Sequence, residues 1–460
     1  MKIAYIAAGA GGSYCGACAR DATLVRGLLA RGHEVLMLPL YTPLTIDGPD
    51  PSYRRVFYGG INTYLEEHVA LFRHTPEALD RLLDWPRLLR RASRNAVSVA
   101  PERLGAMTVS VLRGPDGRQA KELRKLVRFL EGVRPDIVGL TNSLLAAVAP
   151  TIKEHLGAPV VCGLQGEEQF VEALGEPHRT EARDLIRRHA AAIDAFIAPG
   201  EAYADEMASF LAVERKRVHV VRMGIDLEMY APAQAPSAGM RSPKMGSDPD
   251  EKTSRTSQSA GQTPFSATPF RVGYLSRAVP EKGLDILCEA FRLLARRRAG
   301  AVLAVAGQAT AAERRFWDGL HEGLRRDGLA ERVEYAGAVD LAGKVAFLQG
   351  LSVFVFPSRV PDPRGVAVLE ALACGVPAVL PRGRGFEEVA ELTGAVLVEP
   401  DDPGALADGL AALLDQPDEV QRLRLAARSG IAEHFSSTVM ADRTLQVCQG
   451  VLSKTVTQDK

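Results

Sequence analysis

Short, continuous apolar runs recur along this chain: KIAYIAAG (2–9), HEVLMLPL (33–40), DIVGLTN (136–142), PVVCGLQG (159–166) and AFIAPG (195–200) in the first half. HVVRMGI (219–225), FRVGYLS (270–276), AVLAVAGQ (301–308), VEYAGAV (333–339), VFVFPS (353–358) and PAVLPR (377–382) follow. Stretches with helical spacing separate them. Strands that are apolar throughout, rather than alternating, belong to parallel sheets covered on both faces, so the pattern predicts an α/β protein.

Between Pro232 and Pro269 the texture changes to Pro, Ser, Thr, Gly and charged residues, with no Leu, Ile or Val and Phe265 as the only aromatic. Such a segment buries too little apolar surface to offset its ordering entropy, and a structureless loop of this length is uncommon inside a compact domain. It reads as a disordered low-complexity linker, 232–269, between a first domain over 1–231 and a second over 270–436. At 460 residues the chain is long enough for two cores of this size. Residues 79–94, LDRLLDWPRLLRRASR, set leucines at near-helical spacing among five arginines and two aspartates. A basic amphipathic helix of this kind offers peripheral contact with an anionic membrane, although Pro86 interrupts it and a solvated helix face is the plainer reading.

Composition narrows the classes. The chain has 56 basic and 56 acidic residues and no net charge, which disfavours a general nucleic-acid binder. No run approaches the length of a membrane-spanning helix. Isolated cysteines in apolar or Gly-rich surroundings suit a reducing compartment, and the cytoplasm is the expected location. Cys15 and Cys18 form one CxxC without a second metal-ligand pair, so packing around the neighbouring loop is the expected role.

The most informative stretch is PSRVPDPRGVAVLEALACGVPAVLPRGRGFEE, residues 357–388. A buried strand ends in a polar loop holding Asp362, and a helix then runs from about Gly365 through Glu370 to Cys374. Ligands of open α/β sheets gather at such strand-to-helix turns, where free backbone N–H groups favour anions. The stretch resembles the E-x7-E region of the family-4, or group 1, retaining glycosyltransferases of GT-B fold, whose usual form is approximately PSxxEPFGLVxLEAMACGxPVV. The resemblance implies that Glu370 binds the ribose of a nucleotide, that Asp362 contacts the donor sugar, and that the Gly365-Val366 backbone approaches the donor phosphates. Two departures stand out: the first acid is Asp rather than Glu, and Arg364 replaces a Phe.

A second segment, VGYLSRAVPEKGLDILCEAF (272–291), resembles the family's VGRLxxEKGxdxLixAF. Arg277 and Lys282 flank its strand-to-helix loop, from which two cations can reach a diphosphate and neutralise charge on the leaving nucleotide. YAGAVDLAGKVAFLQGLSVFVFPS resembles the nucleobase-side loop. Glu388 corresponds roughly to the acid of GGxPE and takes no catalytic role.

In the first half, AGAGGSYCGACARDATLVRGLLARGHEVLML reads as strand, glycine loop, helix and strand. Gly11 and Gly12 allow close approach to the donor or the opposing domain. A nicotinamide site is disfavoured, because Tyr14 stands where the fingerprint needs glycine and no acid ends the second strand. The family pattern places His near Gln165 and Asn near Met223. Gln165 can hydrogen-bond a sugar or acceptor hydroxyl but cannot act as acid or base.

Taken as a whole, the resemblance implies a GT-B fold: two facing Rossmann-like domains with parallel sheets, an inter-domain cleft, and a C-terminal helix within 437–460 packing back on the first domain. It implies transfer with retention from a nucleotide-diphosphate sugar to a carbohydrate, lipid-linked or small-molecule acceptor. No cofactor and no metal are expected, since Arg277 and Lys282 supply the cationic charge. An epimerase or phosphorylase of the same fold, and a catalytically weak carbohydrate-binding descendant, are the alternatives.

Overall fold

The computed structural model describes residues 1–9, 16–75, 89, 103–231, 269–307, 310–362 and 365–458. Gly11, Gly12, Cys15 and Arg364, nearly all of 79–94, and the linker as far as residue 268 lie outside the described residues.

The apolar runs form two all-parallel six-stranded sheets. The first contains β1 (Lys2–Ala8), β2 (Glu34–Leu40), β3 (Ile137–Leu140), β4 (Val160–Gly163), β5 (Ala195–Ala198) and β6 (Val218–Val220), in the order β2-β1-β3-β4-β5-β6. The second contains β7 (Phe270–Leu275), β8 (Ala301–Ala306), β9 (Val333–Gly337), β10 (Val353–Val355), β11 (Ala378–Pro381) and β12 (Val396–Val398), in the order β12-β11-β10-β7-β8-β9. Central strands β3, β4, β5, β10 and β11 are buried at every position, which explains why they carry no polar alternation. Edge strand β12, half-buried at each of its three positions, escapes the sequence reading.

The order of the second sheet reverses direction between neighbours β7 and β10, where Val353 lies opposite Val272 and Phe354 opposite Gly273. In open parallel sheets the crevice beyond the carboxyl ends of two such strands receives ligands. The loops leaving these two strands are the two segments that carry Arg277, Lys282, Asp362 and Gly365.

Tyr230 and its neighbours lead out of the first sheet along the second core, and Ile225 forms a bridge with Ser436. The helix Ser437–Gln458 then lies on the helix Gly16–Ala30, with Met440, Ala441, Leu445, Cys448 and Val451 joining Ile3, Tyr5, Leu24, Val25 and Leu28 in one apolar cluster. No helix among the described residues is long and apolar enough to cross a membrane.

Candidate functional site

The β7 and β10 loops are stitched together before any ligand is considered. Gly283, at the start of the helix Leu284–Arg297, has φ +69°, and a Cβ there would stand 1.9 Å from the Pro357 carbonyl oxygen. The EKG of this segment therefore ends in glycine because the backbone of the β10 loop passes directly over it. Arg359 closes the same seam. Its guanidinium donates to Asp285 Oδ1 at 2.8 Å and Oδ2 at 2.6 Å, and to the Pro280 carbonyl at 2.6 Å. Partial burial works to raise the Asp285 pKa, but Arg359 outweighs it and holds the carboxyl below its ordinary value.

Within this frame Lys282 Nζ lies 2.8 Å from Asp362 Oδ2 and 5.2 Å from the centre of the Phe356 ring. Asp362 Oδ1 accepts from the Gly365 backbone N–H at 3.2 Å. The acid is thus folded back over the start of the helix Val366–Ala373, whose leading glycine has φ +53°. Arg277 is different: its side chain is 64% exposed, and its guanidinium approaches Glu313 at 3.5 Å. It stands at the mouth of the loop rather than inside it.

Glu370 sits on a helix, VAVLEALA, whose residues from Val368 onward are all buried. Its Oε1 accepts from Tyr230 O–H at 2.7 Å and from Lys344 Nζ at 2.6 Å. Burial raises the Glu370 pKa above the ordinary range, while Lys344 and Tyr230 oppose that shift.

On the first sheet, Gln165 follows β4 and is almost fully buried. Its Nε2 donates to Asp21 Oδ1 at 3.0 Å, to the Thr141 carbonyl at 2.9 Å and to Thr141 Oγ1 at 3.0 Å. Asp21 also accepts from Tyr5 O–H at 2.7 Å and from Arg20 at 3.1 Å. These acceptors fix which end of the amide carries nitrogen, and among the described residues they leave the buried Gln165 Oε1 without a hydrogen-bond partner. Met223, where the family pattern has Asn, is buried in the second core. Cys18 Sγ donates to the Ala8 carbonyl at 3.1 Å, and the five described cysteines are buried and unbridged.

The two halves meet across this region. Gln169 Nε2 donates to the Pro361 carbonyl at 3.3 Å, next to Asp362. Lys344 Nζ lies 2.6 Å from Asp47 Oδ2, and Arg222 Nε lies 2.7 Å from Glu388 Oε1. Glu388 therefore joins the interdomain segment to the second sheet. Sequence reasoning singled out neither Lys344, Tyr230, Asp47 nor Arg359. Lys344 and Arg359 both lie inside quoted motif segments, but nothing in the spacing shows what either one touches. Among the described residues no group of three His, Cys, Asp or Glu is placed to hold a metal ion.

Two parallel sheets, carboxyl ends facing, with the motif loops at the switch point of the second, define a GT-B protein. The chain belongs to the group 1, or family 4, glycosyltransferases: the "Glycosyl transferases group 1" model matches residues 269–416 and the "Glycosyltransferase Family 4" model residues 104–229. Among its relatives is D-inositol 3-phosphate glycosyltransferase 2 of Catenulispora acidiphila, 28% identical over 82% of this chain and 85% of the relative. Another is the glycogen synthase of Mycobacterium tuberculosis, 26% identical over 68% of each chain. In fold it resembles Anabaena HepE solved with UDP, with TM-score 0.64 and 17% identity over 98% of this chain and 100% of the other. Sucrose-phosphate synthase from Thermosynechococcus elongatus gives TM-score 0.65 and 17% identity over 99% and 100%. The protein is thus a glycosyltransferase of the nucleotide-sugar-dependent kind.

Proposed function

We propose that the protein transfers a sugar from a nucleotide-diphosphate sugar with retention at the anomeric carbon and without a metal. The observation that carries this reading is the meeting of Lys282, Asp362, Gly365 and Glu370 around the β7/β10 switch point. Lys282, half-buried beside Asp362, and Arg277 at the mouth take the diphosphate, and the Gly365-Val366 backbone approaches it. Glu370 takes the ribose and Asp362 the donor sugar. Gln165 Oε1, a buried acceptor with no partner among the described residues, suits a hydroxyl of the sugar or acceptor.

No side chain is placed as a covalent nucleophile in this reading. The acceptor oxygen attacks the anomeric carbon on the face from which the diphosphate departs. The bond from that carbon to the diphosphate oxygen breaks, and the acceptor's proton passes to the departing diphosphate. Lys282 and Arg277 stabilise its growing negative charge, the role a metal ion plays elsewhere. Gly11 and Gly12 would complete the donor site, and no further cofactor is required. The 1–231, 232–269, 270–436 and 437–460 division completes the proposal, with the cytoplasm as location.

Incubation with a panel of nucleotide sugars tests this reading, with D-inositol 3-phosphate and glycogen as first acceptors, after the names of two relatives. Product analysis is expected to show a new glycoside with the donor's anomeric configuration. Inversion, an epimerised donor, phosphorolysis, or binding without turnover under every combination would each overturn it.

A further inference from the structure

Lys344 has a place in the molecule that neither the motifs nor the proposed roles explain. Its side chain is 8% exposed, and burying an ammonium is unfavourable unless carboxylates surround it. Two do, and they come from different halves of the chain: Glu370 Oε1 and Asp47 Oδ2, each 2.6 Å from Nζ. The Tyr230 ring lies 5.8 Å from the same nitrogen, while its hydroxyl donates to the same Glu370 oxygen.

The loop that delivers Asp47 is built to do so. Gly48, with φ +75°, packs so closely on the interdomain segment that a Cβ there would stand 2.3 Å from Met229 Cε. Arg26, on the helix Gly16–Ala30, donates to the Pro49 carbonyl at 3.1 Å and faces Asp47 and Tyr230 electrostatically. Asp47 therefore arrives at Lys344 along a fixed path from the first sheet.

Resting on the reading of Glu370 as the ribose acid, we infer that Lys344 is a positioning residue that orients Glu370 and, through Asp47, ties it to the first domain. The groups facing Glu370 are Lys344 from the helix Leu341–Gln349, Tyr230 from the interdomain segment, Asp47 from the β2 loop, and Cys374 at the end of its own helix. Their signs differ. Burial raises the Glu370 pKa, Lys344 and Tyr230 lower it, and Asp47 raises it again. For Lys344, burial works downward, but Glu370 and Asp47 outweigh it and the ammonium stays above its ordinary value. The ammonium opposes the effect of burial on the carboxylate and holds one of its oxygens in place. Asp47 competes for the ammonium, so removing either neighbour moves the acid in opposite directions.

The experiment titrates UDP, GDP and ADP by calorimetry, then follows the tightest binder from pH 5 to pH 9 in four variants, with melting temperatures recorded alongside. The ligand's own phosphate titration is common to all of them. Lys344→Met is expected to weaken binding about tenfold at neutral pH and to move the acid-side loss of affinity to higher pH. Lys344→Arg, which keeps the charge, brings it back. Asp47→Asn moves the acid-side loss to lower pH, and it carries the test if Lys344→Met fails to fold. Glu370→Gln abolishes that limb. A purely structural lysine would lower the melting temperature and leave the limb in place. If Glu370→Gln removes the limb while Lys344→Met and Asp47→Asn leave it unmoved, the inference about Lys344 is overturned and the ribose reading stands. If Glu370→Gln itself changes nothing, the ribose reading fails first.

Discussion

Asp362 and Glu370 lie eight residues apart in one motif and are chemically near-identical, yet their surroundings are opposite. Asp362 is on a loop, its contacts including a lysine and a backbone N–H, and its position depends on how the β7 and β10 loops are seamed together. Glu370 is on an apolar helix, buried, and held by groups from the interdomain segment, the second domain and, through Asp47, the first. The loop acid can follow a ligand by moving a few backbone torsions. The helix acid cannot, so its surroundings must be correct beforehand. On the proposed roles, the donor sugar meets an adaptable acid and the ribose a rigid one.

The largest effect is expected from Lys282→Ala. It removes the proposed charged contact to the diphosphate and the Lys282 partner of Asp362, so diphosphate affinity and turnover should fall roughly hundredfold, from a contact of about 3 kcal/mol. Nucleoside affinity should fall far less. Equal losses for nucleoside and diphosphate, measured by calorimetry, would move Lys282 away from the phosphates.

Next, Glu370→Gln and Asp362→Asn should separate cleanly. The first lowers affinity for the bare nucleoside about tenfold. Because the folded-state pKa of Glu370 is raised, wild-type nucleoside affinity should fall on the acid side as pH drops through that raised value, and the amide should remove this dependence. The second lowers turnover at least about tenfold while leaving nucleoside diphosphate binding unchanged or tighter, since it releases Lys282 from an anionic partner. Wild-type turnover in Asp362→Asn would reduce that acid to a turn residue. Should the wild type be inactive and Asp362→Glu gain transfer, a degenerate binder becomes the better description.

A smaller loss is expected for Arg277→Ala. The guanidinium is largely exposed, so its contact with phosphate is made partly in water, and roughly a tenfold drop in diphosphate affinity is the expected size. A loss as large as that of Lys282→Ala would show that the loop mouth closes on the donor. The smallest effect should come from deleting 236–264, which contain no Leu, Ile or Val. Melting temperature and donor affinity should barely change, and a fall of many degrees in thermal denaturation would make the segment structural.

What the sequence determined by itself was local. Continuous apolar runs mark strands buried on both faces, because in a parallel sheet each face is covered and no position has reason to be polar. Eleven such runs predicted eleven of the strands, and β12, half-buried at the sheet edge, was the strand missed. The loop after β10, the acids at 362 and 370 and the cations at 277 and 282 were legible because a motif is a local constraint: glycine where a backbone crosses, acid and base at fixed offsets. The tertiary structure decided which of these meet. Nothing in the spacing says that Lys282 turns toward Asp362 while Arg277 stays outside, or that Arg359 seams two strands' loops. Least legible of all was Lys344, an ordinary cation on a mostly apolar helix until Asp47, 297 positions earlier, is brought against it. Charge in a buried site is settled by neighbours in space, and those neighbours are supplied by packing rather than by sequence order.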